Sequence, residues 1–343
     1  FVPVRSHHYD PELTFDFCVN EPAWNNQAGI HSAFGSTDRL YFRKEVPVNH
    51  NNDLSSSYST TVWRGERANA QILVWSSEAL EQVRVSTQDL RSAEGNIIPK
   101  DRITFELVRY VLSNYPYAEK KAICGESPYK SGFLMPDRFE TLDRFDLPSQ
   151  TTRPVWMMVD VPRGTVPGTY KGQVEVRAKG KAPQLLNLEI VVQNQLLPYP
   201  KDWKYRLDLW QNPWAVAWYN HVEPWSPEHK MLLKQHLKHY ADAGGTYITT
   251  YGVHSPWSDN SYMIEGGMIE WIKKADGTWA FDYKIFDEYV ELAMECGIDE
   301  AITLYTPIPW GFRHRYKDEA TGDYSYINWA PSSEEFKKMW NIF

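Results

Sequence analysis

The chain has 343 residues, of which 42% are hydrophobic and 23% charged, a composition that can bury the cores of two or three domains. The net charge of −8, with no basic block in the sequence, disfavours nucleic acid as a partner. No apolar run reaches the roughly 18 residues that a membrane-spanning helix needs. The first residue is Phe, so we expect a processed chain that has lost a secretory signal and is secreted or periplasmic.

Residues 1–198 are predicted to form an N-terminal all-β region. Polar and apolar residues alternate over Lys171–Arg177 and again around Leu186, Leu188, Ile190 and Val192, which is typical of strands with one wet face. Turn signals such as Gly95-Asn96 separate these runs, and short strands joined by turns favour a β-sandwich. Residues 1–50 are rich in Asn, His and Pro, and they fit either strands or an extended arm.

The pattern changes after the prolines at positions 198 and 200. Ser226-Pro227 predicts the start of a helix that runs to about Ala241 with one apolar stripe, and a glycine pair ends it. The same order of helix, glycine and strand then recurs. The predicted elements are a second helix, Lys284–Glu295, and two strands, Thr246–Tyr251 and Ala301–Tyr305.

Three stretches share one plan, in which a short strand with an aromatic residue near its end leads to Pro-Trp. They read LDLWQNPW from Leu207, ITTYGVHSPW from Ile248 and ITLYTPIPW from Ile302. Alternating helices and strands predict a parallel sheet in a barrel or a doubly wound fold. We therefore expect a multidomain β plus α/β chain, in which a partial (β/α)₈ TIM-type barrel over residues 199–343 follows the sandwich and stops before completion.

Functional groups of parallel α/β folds collect at the carboxyl ends of the strands. Aromatic side chains, which make up 15% of this chain, suit stacking against a sugar ring, although a single Trp more often serves packing. Because three strand ends repeat the same feature, we predict a sugar site there. The candidate substrate-binding residues are Gln211, Asn212, His254, Trp257, Tyr305 and Trp310.

Glycoside hydrolysis commonly needs two carboxyl groups, or one with help from the acetamido group of the substrate. None of the three adjacent Asp-Glu pairs fits: the pair at 287–288 is predicted on a solvated helix face, that at 299–300 enters a strand from its amino side, and that at 318–319 lies in a polar turn. Three histidines near one helix face indicate a solvated stripe rather than a metal site: His229, His236 and His239. We expect no metal and no cofactor.

The stretches LDLWQNPWAVAWYNHVEPW, HSPW and DGTWAFDYKIFDEYVELAMECGIDEAITLYTPIPWGF resemble glycoside hydrolase family 123. VWRGE from Val62, PVWMMVDVP from Pro154 and GTYKG from Gly168 are similar to its N-terminal domain. The resemblance, over residues 60–330, implies a β-N-acetylgalactosaminidase of a family known largely from bacteria, with a β-sandwich ahead of its barrel. Its partner would be an oligosaccharide or glycan.

The resemblance also implies substrate assistance. The acetamido oxygen would attack the anomeric carbon, an Asp would orient the acetamide, and a neighbouring Glu would act as general acid and base. We expect that pair beyond Phe343, so its residues are not assigned. A non-catalytic glycan-binding protein with the same aromatic site is the alternative, and a purely structural scaffold is a weaker one.

Overall fold

The computed structural model describes residue 12 and the ranges 21–49, 54–113, 133–253, 267–305 and 308–343. The chain divides into a compact unit that ends at Leu197 and a second unit that spans Pro198–Phe343. Each has its own hydrophobic core. None of the described helices is long and apolar enough to cross a membrane.

The first unit is built almost wholly from strands. Its elements are β1 (His31–Gly35), β2 (Ser57–Arg64), β3 (Arg67–Ser76), β4 (Leu80–Thr87), β5 (Leu90–Arg91), β6 (Ile97–Ile98), β7 (Ile103–Ser113), β8 (Phe133–Glu140), β9 (Phe145–Leu147), β10 (Thr151–Asp160), β11 (Gly168–Arg177) and β12 (Gln184–Leu196), with short 3-10 helices at Glu21–Trp24 and Lys100–Arg102. Within the described ranges one sheet has the order β1-β3-β10-β7-β8. A second has the order β2-β12-β11-β4-β9, in which β5 also pairs with β11 and β6 pairs with β5.

The two sheets share one hydrophobic core, as expected for a β-sandwich. Val155, Met157 and Val159 of β10 contribute from the first sheet, and Leu188 and Ile190 of β12 contribute from the second. The alternation that the sequence showed around Leu188 therefore places every second side chain inside. Residues 31–35, whose structure the sequence left open, form an edge strand of the first sheet.

The second unit mixes helices and short strands. Its elements are α1 (Pro213–Asn220), α2 (Pro227–Asp242), β13 (Tyr247–Tyr251), β14 (Glu270–Lys273), β15 (Trp279–Asp282), α3 (Lys284–Glu295), β16 (Ala301–Tyr305), β17 (Arg313–Asp318), β18 (Tyr324–Asn328) and α4 (Glu334–Trp340), with 3-10 helices at Pro200–Asp202 and Trp310–Phe312.

The helix signals of this unit are confirmed. The Ser226 hydroxyl caps α2 by accepting from the backbone N–H of His229 at 3.2 Å. After α2 and α3, Gly244 and Gly297 adopt φ values of +91° and +92°, a left-handed conformation that side chains disfavour. These caps explain why both helices end where the sequence predicts.

The parallel sheet is smaller than expected. β13 and β16 pair in parallel with Tyr247 opposite Ala301 and Tyr251 opposite Tyr305. Leu207 adds a single parallel bridge to Gly245. Among the described residues, this sheet thus contains two parallel strands and one bridge, whereas the sequence predicted a partial barrel.

A four-stranded sheet of order β15-β14-β17-β18 was not predicted. It forms from stretches in which the sequence predicts no strand, because four- to six-residue strands between Gly-containing turns give little periodicity. Its aromatic core surrounds Trp271, whose ring stacks on His314 with centroids 4.8 Å apart. Cys296 is free and buried, and Cys18 and Cys124 lie outside the described residues.

Candidate functional site

Three parallel backbone segments of the second unit meet at Asp208. Its carboxylate accepts hydrogen bonds from the hydroxyls of Thr249, at 2.9 Å, and Thr303, at 3.1 Å. These threonines occupy the middle of β13 and β16, so the carboxylate joins both strands to the segment that precedes α1. Sequence reasoning missed this residue, although a carboxylate inside the repeated strand motif was a usable signal.

Tyr240 of α2 fixes the same segments from the helix side. Its hydroxyl lies 2.6 Å from the carbonyl oxygen of Leu207 and 2.8 Å from that of Tyr247. A Cβ atom at position 245 would lie 2.2 Å from the Tyr240 ring, so the close approach requires glycine. Tyr240 thus holds the amino end of β13 next to the segment at Leu207.

An aromatic pair, Trp210 and Tyr305, lies at the carboxyl end of β16. The rings of Trp210 and Tyr305 have centroids 4.7 Å apart, and Tyr305 also contacts Tyr251 at 6.3 Å. Trp210 is 54% exposed, although it contacts neighbouring rings. Tyr251 is buried, and burial raises the pKa of its hydroxyl, which donates to the carbonyl oxygen of Gln211. The pair therefore presents an apolar surface to solvent, and Tyr305 packs against the buried Tyr251.

Trp214 belongs to the core instead. It is 4% exposed and packs against Tyr251 and Trp225, with centroid distances of 5.6 and 5.7 Å. The tryptophan of the first Pro-Trp pair is therefore a core residue, whereas Trp210, which follows Leu209, leaves about half of its surface in solvent.

Gln211 and Asn212 have structural partners at this end of the strands. The Gln211 side-chain oxygen accepts from the buried Tyr289 hydroxyl at 3.1 Å. The Asn212 side-chain oxygen caps α1 by accepting from the backbone N–H of Ala215 at 3.1 Å. Their predicted part in substrate binding stays a prediction, and both side chains support the local fold.

Three other candidates cannot be placed. His254 and Trp257 lie outside the described residues, as does the side chain of Trp310, whose backbone begins a short 3-10 helix. Their predicted positions around a sugar stay predictions.

The predicted histidine stripe is wrong for His229, which is fully buried. Its Nδ1 accepts from the backbone N–H of Trp225 at 2.8 Å, and its Nε2 lies 2.8 Å from the carbonyl oxygen of Pro213. These partners specify a neutral ring protonated at Nε2. Burial lowers the pKa of His229. The residue lies in the first turn of α2 and contacts the preceding loop, a relation that helical spacing does not reveal.

The adjacent carboxylate pairs occupy structural positions. Glu300 accepts from the hydroxyl of Thr246 at 2.8 Å, at the amino end of β13, as predicted. Asp318 is the last residue of β17 and Glu319 begins the turn after it, where Glu319 pairs with Lys274 at 2.9 Å. The described residues hold no Asp-Glu pair at the carboxyl ends of β13 and β16, and they hold no group of three or more His, Cys, Asp or Glu arranged to bind a metal ion.

A cavity of about 490 Å³ lies between the amino-terminal turns of α2 and α3 and the four-stranded sheet. Trp214 and Tyr324 contribute aromatic walls, and Glu270 and Arg315 contribute charge. Glu288 also lines it and pairs with Lys230 at 3.2 Å, so this carboxylate is not on a fully solvated face as predicted. The volume is within the usual range for small-molecule sites.

Comparison with known families agrees with this division of the chain. The model of the glycoside hydrolase 123 catalytic domain matches residues 210–343, and that of the glycoside hydrolase 123 N-terminal domain matches residues 34–178. The chain belongs to glycoside hydrolase family 123. The aromatic pair at Trp210 and Tyr305 thus lies within the catalytic-domain match.

Among solved structures, the chain is similar to a family 123 glycoside hydrolase from Clostridium perfringens described in a study of glycolipid glycan hydrolysis. The TM-score is 0.81 at 25% identity, over 92% of this chain and 54% of that one. This family 123 chain therefore spans about half the length of that enzyme. A PapD-like domain of human CEP192 gives a TM-score of 0.25 at 12% identity, over 55% of this chain and 99% of that one. This score is too low to indicate a shared fold. No curated protein sequence matches.

Proposed function

We propose that the protein acts in the hydrolysis of glycans that contain β-linked N-acetylgalactosamine. Membership of glycoside hydrolase family 123 supports the reaction class. The similar Clostridium perfringens enzyme is described in terms of glycolipid glycan hydrolysis, which supports a glycan substrate. A secreted or periplasmic location is part of the same proposal, because such glycans lie outside the cell.

The observation that carries the proposal is the half-exposed Trp210 against Tyr305, at the carboxyl end of a parallel strand. Sugar rings present C–H faces that stack on aromatic rings, and functional groups of parallel α/β folds lie at these strand ends. The buried Tyr251 contacts Tyr305, the inner ring of the pair. We therefore assign the pair as a sugar-stacking surface.

The proposal includes a (β/α)₈ barrel around this surface. Two in-register parallel strands and the parallel bridge at Leu207 support it. The side chains of Ile302 and Leu304 alternate along β16 with Thr303, which bonds to Asp208. In a barrel strand, one set would face the surrounding helices and the other the interior. That arrangement accounts for exposed apolar side chains on one side of β16.

For the chemistry we propose substrate assistance by the acetamido group, with an Asp to orient it and a Glu as general acid and base. No carboxylate pair at the described ends of β13 and β16 fits these roles, and the residues of the pair are not assigned. Residues 1–343 are then expected to bind sugar and to release none from a chromogenic β-N-acetylgalactosaminide. Clear release that is lost in Asp318→Asn or Glu319→Gln would show that the turn pair is catalytic.

The binding experiment compares two exposed tryptophans of the same unit. Trp210→Ala removes the stacking surface, whereas Trp218→Ala removes a 53% exposed ring on α1 that does not lie at a strand end. Titration with N-acetylgalactosamine, followed by NMR, should show a loss of ~1–3 kcal/mol for the first variant and little change for the second. Equal affinities in both variants would remove the main support for the site.

Binding without release also matches the alternative, a non-catalytic glycan-binding protein. The observation that favours this alternative is that the carboxyl ends of β13 and β16 carry no acid pair among the described residues. It predicts that the affinity for N-acetylgalactosamine does not change as carboxyl groups titrate, because no carboxyl group would contact the acetamide or the glycosidic oxygen.

A further inference from the structure

The sandwich contains a carboxylate surrounded by three arginines. The side chain of Glu12 is only 8% exposed, and it lies against Arg43, Arg109 and Arg153. These arginines are distant from it in the sequence, with Arg109 on β7 and Arg153 on β10. A buried charge is costly unless partners replace its lost water, so the arrangement requires an account.

The hydrogen bonds to Glu12 are complete. Arg153 donates from Nη1 to Oε1 and from Nη2 to Oε2, both at 2.8 Å, which is the forked geometry of a guanidinium on a carboxylate. The backbone N–H of Tyr110 donates to Oε1 at 3.1 Å, and Arg109 Nη1 donates to Oε2 at 3.1 Å. Each oxygen therefore has a donor for both of its lone pairs. Arg43 Nη1 adds positive charge 3.7 Å from Oε1.

Among the described residues, Glu140 is a second carboxylate at these arginines and bonds to Nε of Arg109. Arg153 is buried and occupies the same side of β10 as the core residues Val155 and Met157. Its Nε has no hydrogen-bond partner among the described residues. The donors of Arg109, Arg153 and the Tyr110 backbone surround both oxygens of one carboxylate, a geometry that suits a small planar anion.

We propose that Arg43, Arg109 and Arg153, with the backbone N–H of Tyr110, form a carboxylate-binding site that the chain fills with its own Glu12. The site binds any small planar carboxylate that can reach it. Through this site Glu12 is bound to β7 and β10 of the first sheet. Formate is the simplest probe of this chemistry, since it is a carboxylate with no further side chain.

The test is rescue of the full chain by formate. Glu12→Ala opens space for a free carboxylate, so its melting temperature should rise in sodium formate well above its value in sodium chloride at equal ionic strength. Glu12→Gln fills the same space without charge, so it should be destabilised and gain no more from formate than the unchanged chain. If Glu12→Ala is unfolded in chloride, refolding yields in the two salts give the same comparison.

A surface carboxylate provides the matched control. Glu78 pairs with Lys181 at 2.6 Å in the same unit, but its side chain is 46% exposed. Glu78→Ala should respond equally to formate and chloride. The proposal is overturned if Glu12→Ala responds equally to both salts, if it is as stable as the unchanged chain, or if it stays unfolded in both.

Discussion

The sandwich and the second unit cover their strands to different degrees. In the sandwich, β10 pairs with β3 on one edge and β7 on the other, and its apolar residues are buried. In the second unit, β16 pairs with β13 on one edge among the described residues, and Ile302 is 49% exposed. Both strands carry ordinary β-forming residues. The difference shows that strand pattern in a sequence does not report how many neighbours a strand has.

The largest effect is expected where an aromatic ring is buried within the second unit. Trp214→Ala should reduce the free energy of unfolding by ~3–5 kcal/mol, because it truncates the core ring that packs on Tyr251. Trp210→Ala should cost under about 1 kcal/mol, since half of that ring is already in solvent. Urea unfolding monitored by circular dichroism measures both. Similar losses would mean that Trp210 is a core residue and not a binding surface.

A matched pair of isoleucines tests the contrast between the two units directly. Ile72 of β3 is 0% exposed in the sandwich core, so Ile72→Ala should cost ~2–5 kcal/mol. Ile302→Ala makes the same chemical change on β16 and should cost under about 1 kcal/mol. Denaturant unfolding with hydrogen exchange assigns each loss to its unit. A loss above 2 kcal/mol at position 302 would show that another part of the protein covers β16.

The two units should also respond differently to acid. Burial lowers the pKa of His229 below its ordinary 6.5, so the unfolded state binds the proton more readily and stability falls as the pH decreases below about 6.5. Burial alone would raise the pKa of Glu12, but the Arg153 hydrogen bonds and charge, the Tyr110 N–H and Arg43 together lower it from 4.5. The stability from Glu12 is therefore present above about pH 4.5 and is lost only as the pH falls further, through its folded pKa.

Hydrogen exchange from pH 7 to 4 should show the second unit weakening first. His229→Gln should remove the slope near pH 6, and Glu12→Gln should leave that slope unchanged while it flattens the slope below pH 4.5. If His229→Gln keeps the full slope near pH 6, another group is responsible for it.

The smallest effect is expected for a half-exposed ion pair on the cavity wall. Glu288→Gln breaks the ion pair with Lys230. The Glu288 side chain is 30% exposed and that of Lys230 is 35% exposed, so solvent screens most of their attraction. The expected loss is at most about 0.5–1 kcal/mol and should shrink with added salt. Thermal unfolding at two salt concentrations measures it. A larger loss that salt does not reduce would place this pair in a drier environment than the cavity suggests.

The sequence by itself determined the elements whose signals are local. Ser226-Pro227 and Gly244 fixed the ends of α2, the order of polar and apolar residues fixed β11 and β12, and the strand-end motifs identified the family. Caps, left-handed glycines and period-two alternation act within a few residues, so they are visible without a fold. The repeated motif placed aromatic residues, Tyr305 among them, at the ends of strands, but it did not separate the exposed Trp210 from the buried Trp214.

Only the tertiary structure decided what depends on residues far apart in the chain. It pairs the Gln211 side chain with the Tyr289 hydroxyl, and the Asp208 carboxylate with two threonine hydroxyls. It also places the His229 ring between the backbone N–H of Trp225 and the carbonyl oxygen of Pro213. It assembled β14, β15, β17 and β18 into a sheet around Trp271, and it brought Glu12 to its arginines. Burial and hydrogen-bond partners across tens of residues arise from packing, which no local pattern records. The same chemical group can therefore be a ligand contact or a core support, and its neighbours decide which.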